Sequence, residues 1–333
     1  MSKSFAFAGD KVIGDIVSRK LAAAGFPLAS NVAAADYIFT YCLAQSQAED
    51  IYLGSAGLVE MAPEGCCFID LSPSTTTLAK ELYAMARVNE MQSLDAPLVI
   101  KDVCAHDAFG DSSNVMLLVG GDDDAYQTAL PLLQTLSDDI RYMGVAGLGQ
   151  LAKSMVTVQQ AGSVVSLVEA YALAKSQNEQ AADAISVAIE AGIVAPESRA
   201  LYQAITDEHF HGSYSCAVIM AELTAVLEGA EETDLALPQT EACERLLELF
   251  LVVGGSDLPV AALSLVYASQ EDAEKHGIDW SRAEDVYGHE HDDDVHEHAH
   301  DESTLFDYEE VDYDYDPEDE GGYAGGFGGF SAN

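Results

Sequence analysis

At 333 residues, 49% of them hydrophobic, the chain is long enough to build two packed domains. Its formal net charge of −43 sets it against nucleic acid and anionic lipid, both of which repel so acidic a surface. No apolar run has the length of a membrane span, and the start MSKSFAFAGDKV lacks a signal-peptide core and cleavage site, so a cytoplasmic protein is expected. The six cysteines (Cys42, Cys66, Cys67, Cys104, Cys216 and Cys243) form no C-x-x-C and no zinc spacing, and reduced thiols are expected.

The charge is unevenly placed. No Lys or Arg follows Arg282, whereas residues 284–320 hold 18 acids, which leaves 39 acids against 14 bases in the body. Along the chain, residues 3–8 (KSFAFA) form a short apolar run ending at Gly9, the pattern of a buried strand. Gly14 follows, and Asp15 to Ala24 reads as a helix closing at Gly25. Strand, glycine turn, helix is how a nucleotide-binding βαβ unit starts. The fingerprint G-x-G-x-x-G is only half present, because Lys11 stands at the middle glycine and Asp10 puts a negative charge where phosphate would lie. Gly9, Lys11 and Gly14 are nevertheless the candidate phosphate-turn residues. Between Phe26 and Ala35 there is neither acid nor base, and no room for the second strand that holds an adenosine ribose, so that side of a dinucleotide pocket is expected to be cut down.

The alternation then resumes. Strands are expected at 36–43, 65–70, 93–98 and 114–119, with helices at 78–88 and 123–137. Residues 72–77 (SPSTTT) carry helix-cap chemistry, and Leu71, Ser72 and Ser74 are candidate cofactor contacts at a strand end. The fold class expected is an α/β Rossmann-like domain with a mainly parallel sheet over 1–143, shortened in its second unit, followed by an all-α domain over 144–283. Helices are expected near 180–192, 215–229, 240–253 and 258–276.

The all-α part opens on GVAGLGQLAKSMVTVQQAGSVVSLVEAYALAK, residues 144–175. Leu151, Met155, Val158, Val165, Val168 and Leu173 fall around the cylinder, which predicts a helix buried on most sides. Lys153 lies in its first turns, where a cation opposes the helix dipole and, in apolar surroundings, calls for a partner or a task. Beyond Glu284 the chain is acidic, then rich in Gly and aromatic residues, and is expected to be disordered over 284–333. His289, His291, His296, His298 and His300 alternate there with carboxylates, a pattern for loose divalent-metal binding; no metal site is expected in the body, His209 and His211 being a bare pair.

Several short signatures occur in one order: residues 69–72 (IDLS), 94–97 (LDAP), 119–122 (VGGD), 147–153 (GLGQLAK), 169–174 (EAYALA) and 255–257 (GSD). Together, over roughly residues 4–287, they resemble the β-hydroxyacid dehydrogenases, of the 3-hydroxyisobutyrate dehydrogenase and tartronate-semialdehyde reductase type and like 6-phosphogluconate dehydrogenase. The resemblance implies a Rossmann-like domain and a helical domain joined by the Lys153 helix, a homodimer or homotetramer, and hydride transfer between NAD or NADP and a small β-hydroxy acid. Lys153 takes the family's acid/base position. An acidic body without a base after Gly25 favours NAD.

The departures fall at functional positions. Lys11 replaces a glycine. The carboxylate-binding Ser-Gly-Gly that follows LDAP in the family is replaced by bulky residues 98–101 (LVIK), where Asp95 and Lys101 remain as candidate substrate contacts. The family's asparagine pair after the lysine is Val156 and Thr157, and of these only Thr157 retains a polar group. His106, beside Asp107, is a further candidate acid. Two readings stay open: a nicotinamide-dependent dehydrogenase with a modified site, and a catalytically inactive descendant acting as an oligomeric scaffold or sensor through its acidic tail.

Overall fold

The computed structural model describes residues 3–177, 183–196 and 198–287, all within one compact unit, Met1–His289. The tail expected to be disordered from 284 is helical at its start, where the helix Ser281–Tyr287 runs into it, and the rest, with its histidines, lies outside the described residues. The first part alternates strands and helices: β1 Phe5–Gly9, α1 Lys11–Ala23, β2 Tyr37–Tyr41, α2 Gln45–Leu53, α3 Leu58–Met61, β3 Cys67–Asp70, α4 Thr76–Val88, β4 Gln92–Asp95, β5 Leu98–Ile100, β6 Val115–Gly121, α5 Asp123–Leu136 and β7 Asp139–Gly144. The rest is helical: α6 Leu148–Gln177, α7 Asp183–Glu190, α8 Ser198–Thr206, α9 Cys216–Glu231, α10 Pro238–Phe250, a 3₁₀ segment Val260–Tyr267, α11 Gln270–Lys275 and α12 Ser281–Tyr287. No described helix is long and apolar enough to cross a membrane.

The sheet runs β1-β2-β3-β4-β6-β5, with β7 also paired to β6. β1 to β4 are parallel, as are β6 and β7, whereas β6 is antiparallel to both β4 and β5. β1 therefore stands at the edge. Its outer side meets only an isolated parallel bridge from Phe5 to Leu28. Residues 26–35 are too short for the strand and helix of a full unit, and they lay down that single bridge and a 3₁₀ turn instead.

Several boundaries differ from the sequence expectation, each for a local reason. α1 starts at Lys11 rather than at 15, because the Asp10 side chain accepts the Ile13 N–H at 2.9 Å and caps the helix there. Gly14 thus sits inside the helix, where a β-carbon would come within 2.6 Å of the Phe7 ring. The strand expected over 93–98 is two strands, since Pro97 has no N–H to continue the ladder. β7, with its mixed sequence DIRYMG, and α8, a short helix that buries Leu201, Tyr202 and Ile205, were not expected. The helix expected over 258–276 divides into the 3₁₀ segment and α11, which Ser269 caps by accepting the Asp272 N–H.

α6 differs most. Leu151, Met155 and Leu173 are 46%, 61% and 66% exposed, so one face carries large residues outward. Its buried face joins small residues, Gly149, Ala152, Ala161 and Gly162, to Val164, Val165, Leu167 and Val168, so Val165 and Val168 are buried as expected. Closeness is the reason for the small residue at the start: a β-carbon at Gly149 would lie 2.3 Å from the Leu118 carbonyl oxygen. The helix packs there on β6 and, along its length, on α9, α10 and the 3₁₀ segment.

Asp95, at the end of β4, fixes the start of α6. Its two oxygens accept the N–H groups of Gly147 at 2.8 Å and Gln150 at 3.0 Å. These are orphan donors of a helix start, next to the positive end of its dipole. Burial nevertheless raises the carboxyl's pKa to about 6, against the opposing pull of the two N–H groups.

Asp95→Ala leaves those donors buried and unpaired, and is expected to lower stability by about 2 kcal/mol in urea unfolding. Because the folded pKa is raised, the linked stability is complete below the ordinary carboxylate range and lost as pH climbs through about 6. The stability of wild type relative to Asp95→Asn should accordingly fall from about pH 4 to about pH 7 and then level off.

Candidate active site

Lys153 is a buried cation, 3% exposed, on the α6 face turned toward α9. Its Nζ lies 2.6 Å from Oε2 of Glu222, itself 4% exposed. The same oxygen accepts the Tyr214 hydroxyl at 2.8 Å and the Thr157 hydroxyl at 3.2 Å. The ammonium's contact is off the line of a good hydrogen bond, so the pair is charge-neutral while its N–H groups are not fully used. Thr157 is one turn after Lys153 and thus on the same helix face. Burial first, then the Glu222 charge and the hydrogen bond to it, push the Tyr214 hydroxyl well above its usual pKa, which keeps it a neutral donor. Tyr214 continues into an aromatic chain, Phe109 at 6.1 Å and then Tyr41 at 6.4 Å between ring centroids. The chemistry available at this cluster is proton exchange between an amine and a carboxylate in dry surroundings.

Glu222 and Tyr214 were missed in the sequence. A signal for Glu222 was present: it is the lone charge in CAVIMAELTAVL, and an acid in an apolar run needs a buried partner as much as Lys153 does. Tyr214 lies outside any periodic segment and gave none.

The turn between β1 and α1 is built as a nucleotide turn would be. Gly9 has φ of +118°, and a β-carbon there would meet the Tyr41 carbonyl oxygen at 2.1 Å. The helix start beyond it is where backbone N–H groups receive an anion. Here the Asp10 carboxylate already takes the Ile13 N–H, while its own N–H donates to the Tyr41 carbonyl oxygen at 2.8 Å. Lys11 points outward and pairs with Asp15 at 2.6 Å on the surface.

Leu71, Ser72 and Ser74, at the end of β3, are all buried. The Ser72 hydroxyl donates to Asp70 Oδ1 at 2.6 Å and accepts the Cys42 N–H at 2.9 Å. Thr40 donates to the same Asp70 oxygen at 2.9 Å and lies 2.7 Å from the Tyr52 hydroxyl. Desolvation raises the Asp70 pKa, and these hydroxyls hold it down in part. Gln150 of α6 lies over the loop: its Nε2 donates to the Ser72 carbonyl oxygen at 2.8 Å, and its Oε1 accepts the Ser74 N–H at 3.2 Å. The Ser74 hydroxyl is buried without a hydrogen-bond partner. In this arrangement the Asp10 carboxylate occupies a helix-start N–H, the outer side of β1 carries one bridge, and Gln150 lies over the strand-end loop.

The remaining candidates are placed apart from Lys153. Lys101 lies at the sheet edge, where its Nζ donates to the Ser113 carbonyl oxygen at 3.0 Å and stands 3.4 Å from Asp139. Asp95 has both oxygens committed to the start of α6. His106 and Asp107 sit exposed in a loop, Asp107 accepting the Gly110 N–H. His209 and His211 touch edge-to-face with 5.0 Å between ring centroids. Among the described residues no group of three or more His, Cys, Asp or Glu is placed to hold a metal.

A mainly parallel sheet covered by helices, joined through one long helix to an all-α part, is a fold this chain shares with a solved dehydrogenase. Residues 10–147 match the family model for the NAD binding domain of 6-phosphogluconate dehydrogenase. The chain is 32% identical to the uncharacterized oxidoreductase YkwC of Bacillus subtilis, over 42% of this chain and 47% of that one, so it matches about half of that relative's length. It is 26% identical to 2-hydroxy-3-oxopropionate reductase of Escherichia coli, over 69% of this chain and 77% of that one. A solved structure of Mycobacterium tuberculosis 3-hydroxyisobutyrate dehydrogenase with L-serine shares the fold at a TM-score of 0.69 and 21% identity, covering 81% of this chain and all of that one. Residues 10–147 are thus an NAD binding domain of the 6-phosphogluconate dehydrogenase type, and most of the chain is similar to hydroxyacid dehydrogenases and reductases.

Removing one partner of the buried pair leaves the other charge uncompensated. Glu222→Gln is expected to lower stability by roughly 3–5 kcal/mol in denaturant unfolding, and Lys153→Met in the Glu222→Gln background to recover a substantial part of it.

Proposed function

We propose that this chain is a family member that does not run nicotinamide turnover through the family's dinucleotide turn, and that it works as a non-catalytic scaffold or sensor. The observation that carries the reading is the Asp10 carboxylate seated on the Ile13 N–H at the start of α1. A phosphate entering there meets a like charge and finds a donor already used. Two further features support the reading. β1 is an edge strand without the neighbour that positions an adenosine ribose, and residues 98–101 are bulky where the family's carboxylate loop is small. In this reading Lys153 is kept for its pairing with Glu222, which holds α6 to α9. Homodimers or homotetramers, the assemblies implied by the family, are the proposed oligomers of such a scaffold.

One observation favours a second reading. The Lys153, Glu222 and Tyr214 cluster keeps a lysine, a carboxylate and a phenol in contact, the parts a proton transfer to a hydroxy acid requires. Under that reading the chain is a hydroxyacid dehydrogenase with Lys153 as acid/base, NAD favoured over NADP, and the cofactor held without its usual phosphate turn.

Calorimetric titration of the full chain with NADH and with NADPH separates the two. The first reading predicts no saturable heat with either, at concentrations up to about a millimolar, from protein shown to be folded. A dissociation constant in the micromolar range, together with oxidation of any small β-hydroxy acid lost in Lys153→Ala, contradicts it.

A further inference from the structure

A cavity of about 600 Å³ opens away from Lys153, which is not among its lining residues. It is bounded by the turn after β5, the middle of α6 and the first turn of α8. Lys101, Val103, Gln160, Val164, Arg199 and Leu201 are the lining residues that matter here. Gln160 is seven residues beyond Lys153, about 10 Å along the helix axis, so a molecule held there is two turns from the buried ion pair. The Gln160 Nε2 donates to the Ile100 carbonyl oxygen at 2.7 Å, which ties this stretch of α6 to β5 and gives the cavity a fixed floor.

Two properties set this cavity apart. Its walls are chiefly apolar, with Val103, Val164, Leu201 and Pro196 among them, and its size is that of a small-molecule site. It also gathers two cations in a chain that has only 14 Lys and Arg against 57 acids. Lys101 is engaged with Ser113 and Asp139, as described above. Arg199 is freer: its closest described ion contact, to Glu190, is 3.9 Å long, and the side chain is 46% exposed. The positive end of α8 lies along the same wall, through Ser198, Arg199 and Ala200. The opposing group is Asp102, whose carboxylate is turned to the Cys104 N–H at 2.9 Å. Cys104 itself has a thiol whose pKa burial pushes up to about 12, so it lines the cavity as an apolar, unreactive group.

We propose that this cavity is a binding site for a small organic acid with an apolar body, its carboxylate held by Arg199 with Lys101 in support and its hydrocarbon against Val103, Val164 and Leu201. The charge pattern selects the class. The chain as a whole is strongly acidic, so a pocket that pairs a guanidinium with apolar walls discriminates for a carboxylate on a hydrocarbon and against a plain inorganic anion. The site is independent of the dinucleotide turn and of Lys153, and it stands whether or not NADH binds.

The test is calorimetry on the full chain with octanoate as the probe and octan-1-ol and octylamine as controls of the same length. Saturable one-to-one binding of octanoate is expected, with the two controls weaker. Arg199→Ala, at an exposed position that does not threaten folding, should weaken octanoate roughly tenfold, the loss of one charge-assisted contact. Ser163→Phe, at an exposed position on the cavity wall, should abolish it. Equal binding of octanol or octylamine, octanoate binding unchanged in Arg199→Ala, or no octanoate binding to folded wild type at about ten millimolar overturns the proposal.

Discussion

One carboxylate joins the two halves of this molecule. Asp95 ends a strand of the sheet, and its oxygens receive the N–H groups of Gly147 and Gln150 as the chain turns into α6. Everything that α6 carries is positioned from that clamp: Gln150 over the β3 loop, Lys153 against Glu222, and Gln160 on the back of β5. The small residues of its buried face let the helix lie close enough to the sheet for these contacts to form. An interaction that holds a helix start, and that burial opposes enough to raise the acid's pKa to about 6, is retained only where the geometry depends on it.

The dehydrogenase-like fold carries charge that the chain itself engages at two places. At the β1–α1 turn, the glycine with positive φ is kept, because a side chain there collides with the Tyr41 backbone. The residue after it has become the helix's own anion. At the Lys153 helix, a buried cation is kept together with the acid that neutralises it. A lone lysine at 3% exposure is untenable, so Lys153 and Glu222 persist or disappear as a pair. Retention of the lysine is thus explained by stability as well as by catalysis.

The sequence made the sheet-and-helix plan legible because strand ends were marked by glycines and caps: Gly9, Asp70 to Thr75, and Gly120 to Asp122. The missing adenosine unit was legible as a shortage of residues between Phe26 and Ala35. Less visible was anything decided by partners far along the chain. The outward turn of Leu151 and Met155 reverses what their size suggests, since the backbones lie too close at Gly149 for large side chains, whereas Val164 to Val168 are buried farther along. β7 reads as mixed because its burial is slight and its pairing with β6 supplies the order. Of the site, Lys153 was recognisable from its own helix. Glu222 and Tyr214 were not, because they come from a different helix and the loop before it, and only packing brings them to one oxygen.

The account's central claim is that the helix start in the nucleotide turn is filled by the chain's own carboxylate. The most direct measurement follows the Ile13 amide in nitrogen–proton correlation spectra while inorganic pyrophosphate, and then NADH, is added to the folded full chain. The account predicts an Ile13 signal that stays in place through both titrations. A saturable shift of that signal with either ligand, showing that phosphate displaces Asp10 from the amide, would contradict it.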